Sequence, residues 1–362
     1  MKNVLITGGA GFIGSNFIHF LQKERSDLIL YNLDNLTYAG NLDNLKDLPN
    51  PNSYHLFPGD ICHEDLVDKI FFENQIDTVV HFAAESHVDR SIQNPLKFMR
   101  TNVIGTTILL NTALKHWMNN KDTENKIYRF HHISTDEVYG SLTPEDHPFT
   151  EKTPYSPNSP YAASKAASDL LVRSYFQTYH LPITITNCSN NYGPYQFPEK
   201  LIPLFIQNAI QGKSLPVYGD GKQIRDWLYV QDHCEAILKV LELGKSGETY
   251  NIGGNNQPFN LEIIQTICSI LDELLPGSDY IPHYQLVKFV ADRPGHDRRY
   301  AMDINKIKHE LGWQPKESLS SGLRKTVEWY LNNSQWVETV IKRPDYQDWL
   351  RKNYANREGD KK

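Results

Sequence analysis

Cysteine is scarce in this chain, and what there is lies scattered. The 362 residues include four, Cys62, Cys188, Cys234 and Cys268, with no C-x-x-C pair among them. That spacing argues against a secreted disulfide scaffold and reads as four reduced, mostly buried thiols. No cluster of His, Cys, Asp or Glu has metal-ligand spacing, so no metal is expected. Long apolar runs are missing too. Val4, Leu5 and Ile6 give way at once to glycines, which fits neither a signal peptide nor a membrane span. No later run is long enough for a bilayer, so a soluble, cytoplasmic protein without a membrane partner is expected. Excess positive charge is also absent, with a formal net charge of −6. This argues against a nucleic-acid partner, yet a local basic pocket could still take a phosphorylated small molecule. No internal repeat or low-complexity tract is present.

What is there suits a large core, with 40% hydrophobic and 22% charged residues. The length allows two or three domains, or one large domain with a lobe attached. Val4, Leu5 and Ile6 read as a buried parallel strand. It runs into Gly8-Gly9-Ala10-Gly11-Phe12-Ile13-Gly14, after which Phe17, Ile18, Phe20 and Leu21 recur at helical spacing. Glycines at a strand-to-helix turn allow a tight bend, a close approach of backbone to pyrophosphate, and close packing of helix on sheet. Gly9, Gly11 and Gly14 fit the dinucleotide fingerprint, and Gly8, Gly11 and Gly14 fit its wider-spaced variant. A second strand, 28–33, ends at Asp34, about 20 residues past the last glycine, where a carboxylate can bond the adenosine ribose hydroxyls. An acid there repels a 2′-phosphate, so NAD is expected rather than NADP.

The alternation continues. A third strand at 54–57 precedes Gly59, Asp60 and Ile61, and a helix follows at 66–73. A fourth strand at 78–84 ends in the small residues Ala83 and Ala84, which would let a cofactor lie against the backbone. A helix at 102–117 and strands at 128–133 and 182–186 complete the pattern of a Rossmann doubly wound parallel sheet, an α/β fold. From about Ser189 the alternation weakens. A smaller, sequence-discontinuous α/β substrate lobe is expected over 189–350. The NAD-binding domain is expected over 1–188, with about 226–255 returning to it.

Two stretches carry candidate chemistry. Ser134-Thr135-Asp136-Glu137-Val138-Tyr139-Gly140 puts a hydroxyl and two adjacent carboxyls at the end of an apolar run. By itself it reads as a solvated loop. Tyr161 and Lys165 are four apart and share one face of a helix that starts at Pro160. A lysine beside a tyrosine lowers the phenol's pKa by favouring the phenolate, although by itself such a pair reads as a surface accident. Following a dinucleotide-binding half, the two stretches read together as an oxidising pair and an acid/base pair. Two close carboxyls push their titrations apart, so one can stay protonated near neutrality. The resting proton belongs to the pair rather than to either residue. Neighbours in a regular strand point to opposite faces. Both acids can therefore reach one substrate only if the strand ends before Asp136.

These features resemble the extended short-chain dehydrogenase/reductase superfamily acting on nucleotide sugars, and within it the dTDP-glucose 4,6-dehydratase family. The likeness is carried by Thr7-Gly8-Gly9-Ala10-Gly11-Phe12-Ile13-Gly14, Asp34-Asn35-Leu36-Thr37-Tyr38-Ala39-Gly40-Asn41 and Ala83-Ala84-Glu85-Ser86-His87-Val88-Asp89-Arg90-Ser91. Further on it is carried by Thr135-Asp136-Glu137-Val138-Tyr139-Gly140, Tyr161-Ala162-Ala163-Ser164-Lys165, Asn190-Asn191-Tyr192-Gly193-Pro194-Tyr195-Gln196 and Asp292-Arg293-Pro294-Gly295-His296-Asp297. The resemblance implies a tightly held NAD and a dTDP-glucose substrate. The implied product is dTDP-4-dehydro-6-deoxyglucose, made in the first step toward deoxysugars such as rhamnose. Tyr161, kept as phenolate by Lys165 and the nicotinamide charge, would take the proton of the 4-hydroxyl, with Thr135 on the same oxygen. A hydride would leave carbon 4 for NAD and return to carbon 6. In between, Glu137 would take the carbon-5 proton while Asp136 protonates the departing 6-hydroxyl.

The resemblance also implies binding residues. The NAD site would comprise Gly8, Gly11, Phe12, Ile13 and Gly14, then Asp34, Asn35, Leu36 and Thr37, then Asp60 and Ile61. The edge Phe82, Ala83, Ala84, Glu85 and Ser86 would complete it, with Thr101, Tyr161, Lys165 and Asn191. Ser86, Thr135, Asn190, Lys200 and Leu201 would hold the nucleotide sugar, together with Pro216, Val217, Tyr218, Arg225 and Asn260. Asp292, Arg293, Pro294, Gly295 and His296 would close over it, the basic groups suiting a pyrophosphate. Taken singly, Arg225 and Arg293 read as surface arginines, and His87 and His296 as structural histidines. A homodimer through a four-helix bundle is implied, with the helices at 102–117 and 161–175 pairing across a two-fold axis. The alternatives are a 4-epimerase such as UDP-galactose 4-epimerase, a dehydratase of UDP- or GDP-sugars, or a catalytically silent dinucleotide sensor. An epimerase needs the Tyr/Lys pair and the threonine, but no acid/base pair for elimination.

Overall fold

The computed structural model describes residues 1–118, 127–292, 296–344, 346–348 and 351. The first six strands are β1 (Asn3–Thr7), β2 (Ile29–Asp34), β3 (Tyr54–Pro58), β4 (Thr78–His81), β5 (Arg129–Thr135) and β6 (Ile183–Cys188). Three shorter ones follow, β7 (Asn190–Tyr192), β8 (Leu215–Tyr218) and β9 (Trp227–Tyr229), then β10 (Thr249–Ile252) and β11 (Val287–Val290). Seven of these make one sheet in the order β10-β6-β5-β4-β1-β2-β3, and every pairing in it is parallel. The strand order reverses between β1 and β4. In an open parallel sheet, that switch point leaves a crevice at the carboxyl ends of the strands.

The strands are apolar on both faces because both are covered. Val4 and Ile6 pack with Phe17, Ile18 and Leu21 of the helix Phe12–Glu24 and with Val230 and Ile237 of the helix Val230–Leu243. Leu5, Val79 and Phe130 point the other way. They meet Ile70 and Phe71 of Glu64–Asn74, Leu109 and Leu110 of Thr106–Met118, and Val172 of Pro160–Tyr179. That period-two division is what a doubly wound sheet requires.

The lobe has its own core. Ile202, Phe205 and Ile206 of the helix Leu201–Ile210 pack on Ile263, Ile267 and Leu271 of Asn260–Leu274 and on Leu323, Val327 and Tyr330 of Leu319–Asn332. β8 pairs in parallel with β11, and β7 with β9. The sequence reading found none of β7, β8 or β11 and missed the helices Leu201–Ile210 and Leu319–Asn332. Pro203 obscures the first of these. It lies in the helix's first turn, where its missing N–H forfeits no helical bond.

Three boundaries differ from expectation in ways that shape the cleft. The strand expected over 78–84 stops at His81, although the Phe82 N–H still donates to the Thr7 carbonyl at 3.0 Å. The helix expected from 102 begins earlier, as a π-turn over Met99–Gly105. The strand expected to end at 133 runs on to Thr135.

Candidate active site

The cofactor end of the cleft is a backbone cradle. Gly8 has φ +73°, and a Cβ there would stand 2.7 Å from the Ala83 nitrogen. A Cβ on Gly14 would stand 2.3 Å from the Gly8 carbonyl oxygen. Both positions therefore demand glycine, one for its dihedral and both for close approach. Gly11 caps the helix Phe12–Glu24 without any side-chain bond, so the first N–H groups of that helix face the cleft, an arrangement suited to an anion. Asp34, the last residue of β2, accepts the Ala10 and Leu36 backbone N–H groups, each at 2.8 Å. A carboxylate has further lone pairs for ribose hydroxyls. The cradle and the strand-end acid fit a dinucleotide.

Gly8, Gly11, Phe12, Ile13, Gly14, Asp34, Asn35 and Thr37 line this end of the cleft, with Asp60, Ile61, Thr101 and the edge 82–86. Leu36 does not line it. Its φ is 49°, and its half-buried side chain packs against the core cluster of Val4, Ile6 and Phe17.

The middle of the cleft answers the question of the two acids. Thr135 closes β5 and caps a 3-10 turn, Asp136–Tyr139, its Oγ1 accepting the Glu137 backbone N–H at 3.3 Å. The chain thus leaves the strand between Thr135 and Asp136, and both carboxyls line the cleft. Gly140 ends the turn at φ +93°, where a Cβ would lie 2.5 Å from the Ser156 carbonyl oxygen. Asp136 is 2% exposed. Its Oδ1 accepts the Thr135 hydroxyl at 3.2 Å, while Oδ2 is buried with no hydrogen-bond partner among the described residues. Burial, then the Glu137 charge, holds this carboxyl well above the usual carboxylate range. That direction favours the neutral form of Asp136, in which the buried Oδ2 has a proton to offer.

Tyr161 and Lys165 stand in the first turns of Pro160–Tyr179, which is capped by Ser159 accepting the Ala162 N–H at 3.1 Å. Both line the same cleft. Burial, then the Glu137 charge, drives the Tyr161 phenol upward, while a hydrogen bond with Thr135 pulls it down. Lys165 Nζ donates to the Ile133 carbonyl at 2.8 Å and lies 3.2 Å from His132 Nε2. Burial lowers this lysine to about 8, against the raising effect of Asp169. Burial thus opposes the Tyr161 phenolate, which the resemblance assigns to the joint effect of Lys165 and the nicotinamide charge.

A second cavity opens from the first on the lobe side, and Ser86, Glu137, Asn190, Asn191 and Lys200 border both. It is further lined by Leu201, Pro216, Val217, Tyr218, Arg225, Asn260 and His296. Arg225 is not a surface arginine. It is 6% exposed, donates to the Ile224 and Asp297 carbonyls at 2.7 and 2.9 Å, and lies over the Tyr300 ring at 4.3 Å. Asn190 and Asn260 each leave a buried Oδ1 with no hydrogen-bond partner among the described residues. Asp292 borders neither cavity; it lies 2.6 Å from His296 Nδ1 and accepts from Gln223 at 3.0 Å. Arg293, Pro294 and Gly295 lie outside the described residues.

Several residues at the site were missed in the sequence. Asn102, inside the π-turn, bonds the Glu85 backbone N–H and carbonyl at 2.9 and 3.0 Å and Ser164 Oγ at 2.8 Å. It thereby ties the cofactor edge to the Tyr161 helix. Tyr38, Cys188, Ser189, Gln196 and Glu199 also line the cleft. Among the described residues, no group of three His, Cys, Asp or Glu side chains is placed to hold a metal ion, and no helix is long and apolar enough to cross a membrane.

Residues 5–326 match the family model described as GDP-mannose 4,6 dehydratase. The chain is 53% identical to a dTDP-glucose 4,6-dehydratase of Shigella flexneri, covering 98% of this chain and 99% of that one. Its structure is similar to that of a dTDP-glucose 4,6-dehydratase from Bacillus anthracis str. Ames in complex with NAD. The TM-score is 0.82 at 44% identity, covering 94% of this chain and 100% of that chain. A dTDP-glucose 4,6-dehydratase from Streptomyces venezuelae, also solved with NAD bound, gives a TM-score of 0.83 at 45% identity over the same shares.

Proposed function

The chain belongs to the GDP-mannose 4,6 dehydratase family, within the extended short-chain dehydrogenase/reductase superfamily. From that premise we propose that it is an NAD-dependent hydro-lyase, converting dTDP-glucose to dTDP-4-dehydro-6-deoxyglucose and water. The observation that carries this reading is the turn after β5, which brings Asp136 and Glu137 into one cleft with Tyr161 and Lys165. The glycine cradle and Asp34 would hold NAD, which would supply the hydride acceptor for carbon 4 and the hydride donor for carbon 6.

The chain's own groups move the protons. Tyr161 Oη takes the proton of the 4-hydroxyl, and Thr135 Oγ1 steadies the same oxygen. The ketone formed acidifies the hydrogen on carbon 5, which Glu137 removes. Asp136 gives its proton to the 6-hydroxyl, and water leaves. Glu137 then returns a proton to carbon 5, and the proton held by Tyr161 replaces the one Asp136 gave up. An acid and a base with separated titrations are what this elimination needs.

The sheet-bearing part, 1–188 with about 226–255, serves as the cofactor domain, and 189–350 supplies the nucleotide-sugar lobe. Asn190, Lys200, Arg225, Asn260 and His296 hold the nucleotide sugar. The protein works as a cytoplasmic homodimer. This is supported by Ile104, Met118, Leu170 and Tyr179, large apolar side chains left exposed on the helices that would form a four-helix bundle across the two-fold axis.

The test is NMR of the product in heavy water, with dTDP-glucose and UDP-glucose side by side and no NAD added. The reading predicts a 4-keto-6-deoxy product from dTDP-glucose carrying solvent deuterium at carbon 5. Inversion at carbon 4 without deuterium at carbon 5 would make the protein an epimerase.

A further inference from the structure

Lys165 is 4% exposed, and a buried ammonium is costly unless an anion compensates it. Its hydrogen bonds among the described residues go to neutral groups, the Ile133 carbonyl and His132 Nε2. His132 is fully buried, and burial holds its pKa well below the usual imidazole range. One helical turn beyond Lys165 lies Asp169, 2% exposed, with Oδ1 3.2 Å from the same His132 Nε2. The ammonium and the carboxylate therefore flank one ring nitrogen at equal distance. Asp169 Oδ2 is held from the other side, accepting Ser134 Oγ at 2.7 Å, Tyr155 Oη at 3.0 Å and Asn187 Nδ2 at 3.4 Å. Three segments thus converge to fix a carboxylate that takes no part in the proton transfers described above.

We propose that Asp169 is a positioning residue for the oxidation at carbon 4: acting across His132, its carboxylate is the counter-charge that keeps Lys165 protonated, and so keeps Tyr161 able to accept the substrate proton. The proposal rests on the dehydratase reading and adds a residue to it. The other titratable groups facing this cluster are Tyr161 on the same helix, Asp136 and Glu137 on the turn after β5, His132 on β5, His81 on β4, Cys188 on β6, and Tyr139 and Tyr155. Asp136 and Glu137 bear on Tyr161 directly, while Asp169 is the carboxylate whose charge raises Lys165. Burial raises it to about 6, with Lys165 and its three donors pulling it back, so it is ionised at neutral pH.

The sign follows. Removing the carboxylate charge favours neutral lysine, and a less positive neighbour favours the phenol over the phenolate. Asp169→Asn keeps the shape and an accepting oxygen but loses the charge. In the NAD-loaded protein, an ultraviolet difference titration against Tyr161→Phe reads the ionisation of Tyr161 without turnover. The step is expected to move up by about one pH unit in Asp169→Asn, tenfold less phenolate at a given pH below the step. The acid limb of NADH formation with dTDP-glucose is expected to move with it. Tyr155→Phe leaves Asp169 in place but takes away one donor, making Asp169 easier to protonate, and is expected to move the step the same way by less, about threefold. If Asp169→Asn fails to load NAD, Tyr155→Phe decides. An unmoved Tyr161 step, or an activity loss equal at every pH, would overturn the proposal. Absence of turnover in the wild type would refute the dehydratase reading, while the titration would still judge Asp169.

Discussion

The two pairs of side chains proposed to do the chemistry stand on different kinds of backbone. Tyr161 and Lys165 sit four apart on a 20-residue helix, where one turn of regular geometry places both on one face. Asp136 and Glu137 are adjacent, on a single 3-10 turn at the end of a strand. They share a cleft only because the strand stops at Thr135. The helix pair suits any oxidation of a sugar hydroxyl beside a nicotinamide. The turn adds two carboxyls, one of them, Asp136, pushed toward its neutral form by burial, the pairing of acid and base that the proposed removal of water needs. Oxidation and elimination are thus built separately, and elimination can be damaged while oxidation survives.

The most damaging change strikes the shared first step. Tyr161→Phe removes the group that takes the 4-hydroxyl proton. NADH formation and dehydration are both expected to fall by ~10² to 10⁴, read by bound-NADH absorbance on mixing with dTDP-glucose. Normal NADH formation in this variant would break the division between the pairs. A smaller effect sharpens it from the backbone side. Gly140→Ala forces a Cβ to within 2.5 Å of the Ser156 carbonyl oxygen at φ +93°, a strain of about 1–3 kcal/mol. The variant is expected to melt earlier and to lose more dehydration than carbon-4 oxidation, because the misplaced element is the turn rather than the helix.

How much of this could be read beforehand follows the same division. The glycine cradle, Asp34 and the Tyr161/Lys165 spacing are local patterns, set by strand-to-helix geometry and the helical period, and were legible. The turn was legible only as a requirement. Thr135 capping Glu137 and Gly140 at positive φ end the strand, yet an apolar run with a hydroxyl and two acids after it does not say where pairing stops. The lobe resisted because β7, β8 and β11 are three or four residues long, too short to show a period. Their partners lie far off in sequence. Asn102 and Asp169 resisted for a related reason. Each reads as an ordinary polar residue in a helix until Glu85 and Ser164, or His132, Ser134, Tyr155 and Asn187, arrive from other segments.

The division of labour is tested most directly by Glu137→Gln in single turnover. The account predicts that carbon 4 is still oxidised, that bound NADH rises and persists, and that dehydration slows by ~10² to 10⁴. Dehydration at the wild-type rate, or failure of NADH to appear at all, would contradict it.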